Sequence, residues 1–168
     1  IVFCCDSNCF SGLFAAIASI LSNSADTHLF KFNIVLTDDD EKADFEKYLT
    51  DIADKNALFE DFRYHLVSIG PIRHERIKNN IRVNDTTNVN IRSVMNFARF
   101  YFPELLPQVN HMLYLDPDLI VKADLSNLFK LYYNSTHPFA AMAYQKSSQT
   151  PIIKGTLEDL FYSDFINS

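Results

Sequence analysis

The chain has 168 residues, 48% hydrophobic and 14% aromatic, with Phe 15, Tyr 8 and Trp 0, which is enough for one domain with an aromatic core. A formal net charge of -6 argues against a binder of nucleic-acid backbone, which needs basic patches. Only 3 glycines, with no GxGxxG and no GxxxxGK[ST], exclude a glycine-rich phosphate loop, although a metal ion can still carry the phosphates of a nucleotide.

The opening "IVFCC" reads as a buried strand. Its neighbours Cys4 and Cys5 should point to opposite faces. With Cys9 they crowd the start of the chain, but there is no CxxC and no nearby His. They read as small buried hydrophobes rather than zinc ligands. "DSNCFSG" reads as a polar loop, and "LFAAIASILSN" as a helix with Leu13, Ile17, Ile20 and Leu21 on one face. "FKFNIVLTDD" is a second strand. Asp39 or Asp40 caps the next helix, which runs to about Asp54 with Phe45 and Leu49 on one face. "FRYHLVSIG" is a third strand, alternating through Phe62, Tyr64 and Leu66 and closed by Gly70-Pro71.

Residues 72–90 are mostly polar and carry no clear period. "NIRSVMNFARFYF" is helical by period, with Ile91, Val94, Met95, Ala98 and Phe102 in a stripe, and Pro103 ends it. "HMLYL" is a fourth strand running into Asp116-Pro117-Asp118. Asp124 opens a short helix, "ADLSNLFKL", and "PFAAMAY" is a further strand. Strands alternating with helices predict an α/β fold, a mostly parallel sheet flanked by helices. In such sheets ligands sit beyond the carboxyl ends of the strands, where the loop after "IVFCC" and the "DPD" both fall.

"MLYLDPDLIV" places two carboxylates in an apolar run. Asp116 and Asp118 offer hard oxygen ligands suited to Mg²⁺ or Mn²⁺ together with a ligand's phosphates. The bland alternative is a solvated Asp-Pro turn. A phosphatase of the haloacid dehalogenase type also places D-x-D after an apolar strand, its first Asp attacking phosphorus, but Gly and Thr usually follow where Leu119 and Ile120 stand here. His65 reads as a satisfied sheet residue, His28, His74 and His111 as turn or surface positions, and Asp38, Asp39 and Asp40 as an acidic loop. Lys122 suits solvent or a phosphate equally.

"MLYLDPDLIVKADLSNLF" resembles the signature of glycosyltransferase family 8, "NFARFYFPELLP" the segment before it, and "IVFCCDSNCFSGLFAAIASIL" the family's first strand, donor loop and helix. The resemblance implies a GT-A-like fold with a Rossmann-like nucleotide-binding half. It implies a retaining enzyme that moves a hexose or related sugar from a UDP-sugar to a glycan, lipid-linked or protein acceptor, with Mn²⁺ (or Mg²⁺). By the same resemblance Asp116 and Asp118 are metal ligands, with Asp116 also near the donor ribose. Asp6 and Asn8 lie near uracil and ribose. Cys9 falls where many relatives carry an aromatic that stacks on the base, a face a thiol lacks. Arg99 matches an arginine near the donor, and Asn167 a position near the transferred sugar, so that Asp118 and Asn167 carry the catalytic roles.

"YSDFINS" resembles a family segment that continues past Ser168. Residues 1–168 therefore read as a single catalytic domain that is incomplete at the carboxyl end, with a further metal-ligating histidine expected beyond it. The start without Met leaves room for an upstream targeting segment or membrane anchor. The sequons at Asn84 and Asn134 are compatible with a secretory route. A eukaryotic member would work in the Golgi or secretory lumen, a bacterial one in the cytoplasm or at a membrane surface. No side chain reads as a clear nucleophile, and a same-face attack assisted by the departing phosphate needs none. Glu158 and Asp159 are lesser catalytic candidates. A non-catalytic sugar-nucleotide-binding remnant is the non-enzyme alternative, with Cys9 as its sign.

Overall fold

The computed structural model of the chain describes residues 1–80 and 94–133. All of these fall in one unit, Ile1–Ser135; a second, Thr136–Ser168, lies outside the described residues. Three short strands form the sheet: β1 Val2–Cys4, β2 Phe32–Leu36 and β3 Tyr64–Ser68. They pair in parallel in the order β1-β2-β3, with Phe3 opposite Ile34 and Ile34 opposite Leu66. Parallel strands need crossovers, and helices α1 (Phe10–Asn23) and α2 (Asp40–Ala53) supply them.

The strand period of two sorts side chains to two faces. Phe3, Cys5, Phe32, Ile34 and Leu36 pack with Leu13, Phe14, Ile17 and Ile20 of α1 and with Phe45 and Leu49 of α2. Val2, Cys4, Val35 and Ile69 pack on the other face with Ile77, Met95, Ala98, Phe102 and Leu106. Cys4 and Cys5 thus do point to opposite faces, and burial pushes the Cys4 thiol up to about 12. All three cysteines are free.

The chain changes face at Gly70, whose φ of +76° is a left-handed conformation. It enters α3, Pro71–Asn80, where the sequence carries no clear period: only Ile77 of this helix is buried, too little to leave a stripe. Pro71 stands first in it, where a missing N–H costs nothing. The stripe at Val94–Phe102 is a broken helix: α4 Val94–Phe97, a 3₁₀ turn Ala98–Tyr101, then α5 Phe102–Leu105. Met95, Ala98 and Phe102 are buried as the period requires, whereas Ile91 lies outside the described residues. Pro103 does not end the helix but stands in the first turn of α5.

"HMLYL" is not a full strand. Tyr114 makes a single parallel bridge to Val2, with the Val2 N–H donating to Leu113 O at 2.8 Å and the Leu115 N–H to Val2 O at 3.0 Å. This puts Tyr114 on the side of β1 away from β2. The chain therefore steps one way across the sheet through β2 and β3, then returns to the opposite side of β1. The last helix, α6 (Ser126–Tyr133), is opened as expected by Asp124, which accepts the Ser126 N–H at 2.9 Å. "PFAAMAY", the sequons, Glu158, Asp159 and Asn167 lie outside the described residues. No helix among the described residues is long and apolar enough to cross a membrane.

Phe45 anchors α2 through three rings of two elements: Phe10 at 5.7 Å and Phe14 at 5.0 Å in α1, and Tyr64 at 5.6 Å in β3, between centroids. Phe45→Ala should cost about 3–5 kcal/mol in urea unfolding. Phe100→Ala, at a residue 51% exposed, should cost under about 1 kcal/mol. Equal losses would mean that α2 is not held by this cluster.

Candidate active site

The return to the far side of β1 makes a switch point. The loops after β1 and after Tyr114 leave neighbouring strand ends in a sheet whose order reverses there, which is where a crevice opens. The first loop is an ordered 3₁₀ turn, Ser7–Cys9, rather than irregular chain. Its amides are all used. The Ser7 N–H donates to Glu41 Oε1 at 2.9 Å, the Asn8 N–H to Asp6 Oδ1 at 3.0 Å and the Cys9 N–H to Asp6 O at 3.0 Å. The Phe10 N–H donates to Ser7 O. No amide of this turn is left for a phosphate, so the turn offers side chains: half-buried Asp6 and Cys9, and exposed Asn8.

The second loop is brought to the first by α1. A Cβ on Gly12 would lie 3.0 Å from Pro117 O and 3.8 Å from Asp118 Cα. From there the chain follows α1. The Val121 N–H donates to Ser19 Oγ at 2.9 Å, Asn23 Nδ2 donates to Val121 O at 3.0 Å, and the Ala25 N–H donates to Asp124 Oδ2 at 3.3 Å. Leu119, Val121 and Leu125 pack on the same core as α1. The charges of Asp6 and Asp118 both reach the Cys9 thiol, which burial first, then Asp6, push above its ordinary range. Asp6, Cys9 and Asp118 therefore share one end of the molecule.

Asp116 has its own partners. The Tyr114 hydroxyl donates to Asp116 Oδ1 at 2.8 Å. The Arg99 guanidinium lies 4.4 Å from the centroid of the Tyr114 ring and 3.9 Å from Asp116 Oδ1. Burial, then the bond to Asp116, push the Tyr114 hydroxyl far above its ordinary value, so it stays a donor. Tyr114 is the residue the sequence reading passes over. It bridges to β1 with its backbone and orients Asp116 with its side chain. The visible signal was an aromatic residue two positions before the first Asp, on the same side of an extended chain.

Arg99 thus stands beside Asp116, held also by its Nε donating to Asn96 O at 2.8 Å. Among the described residues Asp116 Oδ2 and the Asp118 carboxylate have no hydrogen-bond partner, and both residues are exposed. Exposed hard oxygens are the donors that suit a small divalent cation that keeps several waters. No group of three or more His, Cys, Asp or Glu that could hold a metal occurs among the described residues. Asn167 lies outside them.

The acidic stretch after β2 differs from expectation. Asp39 holds the N-cap position of α2 but its side chain makes no cap bond; Asp38 supplies it, its Oδ1 accepting the Glu41 N–H at 3.0 Å. Asp39 Oδ1 instead accepts from the Ser68 hydroxyl at 2.9 Å and meets Lys42 at 2.8 Å. His65 is paired in β3 by its backbone, but its side chain is exposed. His28, His111 and Lys122 are exposed, and His74 lies 4.0 Å from Glu75.

The model of glycosyl transferase family 8 matches residues 1–159. Glycosyltransferase 8 domain-containing protein 1 of Xenopus tropicalis is 29% identical over 130 residues, which cover 77% of this chain and 31% of that protein. Probable galacturonosyltransferase 4 of Arabidopsis thaliana is 40% identical over 53 residues, 29% of this chain and 9% of that protein. Among solved structures, apo WbbM, a bifunctional glycosyltransferase, aligns over 77% of this chain and 20% of its own, with a TM-score of 0.44 and 19% identity. The chain spans less than a third of the length of these relatives.

The contact at Gly12 sets a prediction. Gly12→Ala gains up to about 1 kcal/mol of helix propensity but presses on Pro117 O, and the two effects should offset to within about 1 kcal/mol in urea unfolding. Gly12→Val adds bulk without that gain and should cost about 2 kcal/mol or more. A Val variant as stable as the parent would show that α1 and the second loop do not touch here.

Proposed function

The chain belongs to glycosyl transferase family 8, and on that premise we propose that the protein is a retaining glycosyltransferase that uses a UDP-sugar and a divalent cation, Mn²⁺ or Mg²⁺. The observation that carries this reading is that α1, which directly follows the Ser7–Cys9 turn, meets the Asp116–Asp118 turn at Gly12. One turn offers Asp6 and Asn8, suited to a base and ribose. The other offers two exposed carboxylates for a cation. Such an ion, when bound, supplies positive charge to the diphosphate and to the charge that grows on the leaving group.

The chain's own residues supply the rest. Tyr114 and Arg99 both meet Asp116 Oδ1, so Oδ2 would be the oxygen available to hold a cation. Gly12 lets the backbone of the second turn sit against α1, so Asp118 is carried on a fixed support. The filled amides of the first turn leave the phosphates no backbone cradle there, which makes the carboxylate-held cation their partner. Cys9 gives the base a thiol edge in place of an aromatic face. Asn167 is assigned, from the family resemblance, to the transferred sugar. The donor is a UDP-hexose or a related UDP-sugar, and the acceptor a glycan, lipid-linked or protein hydroxyl. Its relatives among animal and plant proteins favour the secretory pathway as its setting. Family membership favours transfer over the phosphoryl hydrolysis that D-x-D also suits.

Calorimetry with UDP, with and without Mn²⁺, tests this. Binding should require Mn²⁺ and fall at least tenfold in Asp118→Asn. Binding that ignores both the metal and the substitution would sink the cation assignment. Metal-dependent UDP binding with no turnover of any UDP-sugar would instead mark a non-catalytic binder.

A further inference from the structure

Glu41 is the residue that neither the motifs nor the family resemblance singles out. Its carboxylate accepts two backbone N–H groups from two different loops: Ser7 N at Oε1 and Thr37 N at Oε2, both at 2.9 Å. Each donor sits just past the end of a strand, where the ladder no longer supplies a partner. The sequence Asp38-Asp39-Asp40-Glu41 is a capping box by pattern, and Asp38 does cap Glu41 N at 3.0 Å. In a closed box the glutamate would return to the capping residue's own N–H. Here it reaches one residue further back, to Thr37, and outward across the sheet end to Ser7. The Thr37 hydroxyl in turn meets Met95 Sδ at 3.5 Å, four residues before Arg99.

We propose that Glu41 is a positioning residue for the donor: it fixes the Ser7–Cys9 turn in the conformation that presents Asp6, Asn8 and Cys9 to a nucleoside diphosphate. This rests on the reading of that turn as the nucleotide site. The turn has 3 residues and its other two ties, at Asn8 N and Cys9 N, both run to Asp6 within the turn itself. Among its backbone amides, only Ser7 N is bonded to another element, so the orientation of the turn against the sheet depends on it. A carboxylate suits this place because it accepts twice and carries charge near the amino end of α2. Glutamine is nearly isosteric but has one accepting oxygen. One of the two N–H groups would then face an amide NH₂.

The test compares the parent, Glu41→Gln, and Ala43→Gly, which weakens α2 by about 1 kcal/mol at an exposed position and leaves the Glu41 carboxylate in place. Two readouts are taken well below the unfolding transition. One is UDP affinity by calorimetry with saturating Mn²⁺. The other is the alkylation rate of Cys9, mapped by peptide mass, since Cys4 and Cys5 are buried and Cys9 is the half-exposed thiol of the turn. Glu41→Gln should weaken UDP about five- to tenfold and speed Cys9 alkylation severalfold, with Ala43→Gly within twofold of the parent in both. UDP affinity unchanged in Glu41→Gln overturns the proposal, whatever Cys9 does. So does an Ala43→Gly variant that reproduces both changes, because the effect would then be loss of helix stability alone. A parent that binds no UDP would instead overturn the nucleotide reading of the turn.

Discussion

The approach of Pro117 to Gly12 is the contact on which the rest of the site depends. The segment from Pro117 to Asp124 runs beside α1 and the two residues after it, and it is tied there near both ends and in the middle. Gly12, Ser19, Asn23 and Asp124 are those ties. Small residues on α1 keep the distance short, and the apolar residues between the ties close the core. The carboxylates of Asp116 and Asp118 are therefore exposed for a structural reason. They stand at the head of a segment whose remaining length is committed to α1.

Topology explains why the first turn meets this segment at all. Crossovers through α1 and α2 carry the chain from β1 to β3 along one face. Gly70 turns it to the other face, and α3 to α5 return it past β1. Among the described strands, only β1 has neighbours placed by both halves of this path. The loop and helix that follow it reach both neighbours: Gly12 of α1 meets the Asp116–Asp118 turn, and Ser7 meets the start of α2 through Glu41.

Much of this was legible in the sequence. Helices α1 and α2 follow from continuous apolar stripes, and β1 to β3 from short β-branched and aromatic runs. The Asp116–Asp118 turn announced itself because carboxylates are costly in an apolar run. What could not be read was anything that depends on a partner distant in sequence. Tyr114 reads as one more strand aromatic until its hydroxyl meets Asp116 and its ring meets Arg99. Glu41 reads as the end of a capping box until Ser7 is brought beside it. Helix α3 has one buried residue and hence no period. The expected fourth strand is reduced to a bridge at Tyr114, since the chain must leave the sheet to follow α1.

The electrostatics of the site then follow from how little is left unpaired. A donor diphosphate brought to this end of the molecule meets two aspartates and a turn whose amides are already bonded. Arg99 is the cation beside Asp116, but its charge is shared with that carboxylate and with the Tyr114 ring. In a protein with net charge -6 this arrangement repels phosphate unless a cation comes with it. The absence of a glycine-rich loop and the presence of D-x-D are thus one feature seen twice. On the proposed function, amides bonded within the protein give the turn a fixed shape, and the task of binding phosphate passes to an ion. On the same proposal, selectivity for the donor divides between two supports: α1, assigned to the place of the ion, and Glu41, assigned to the place of the base.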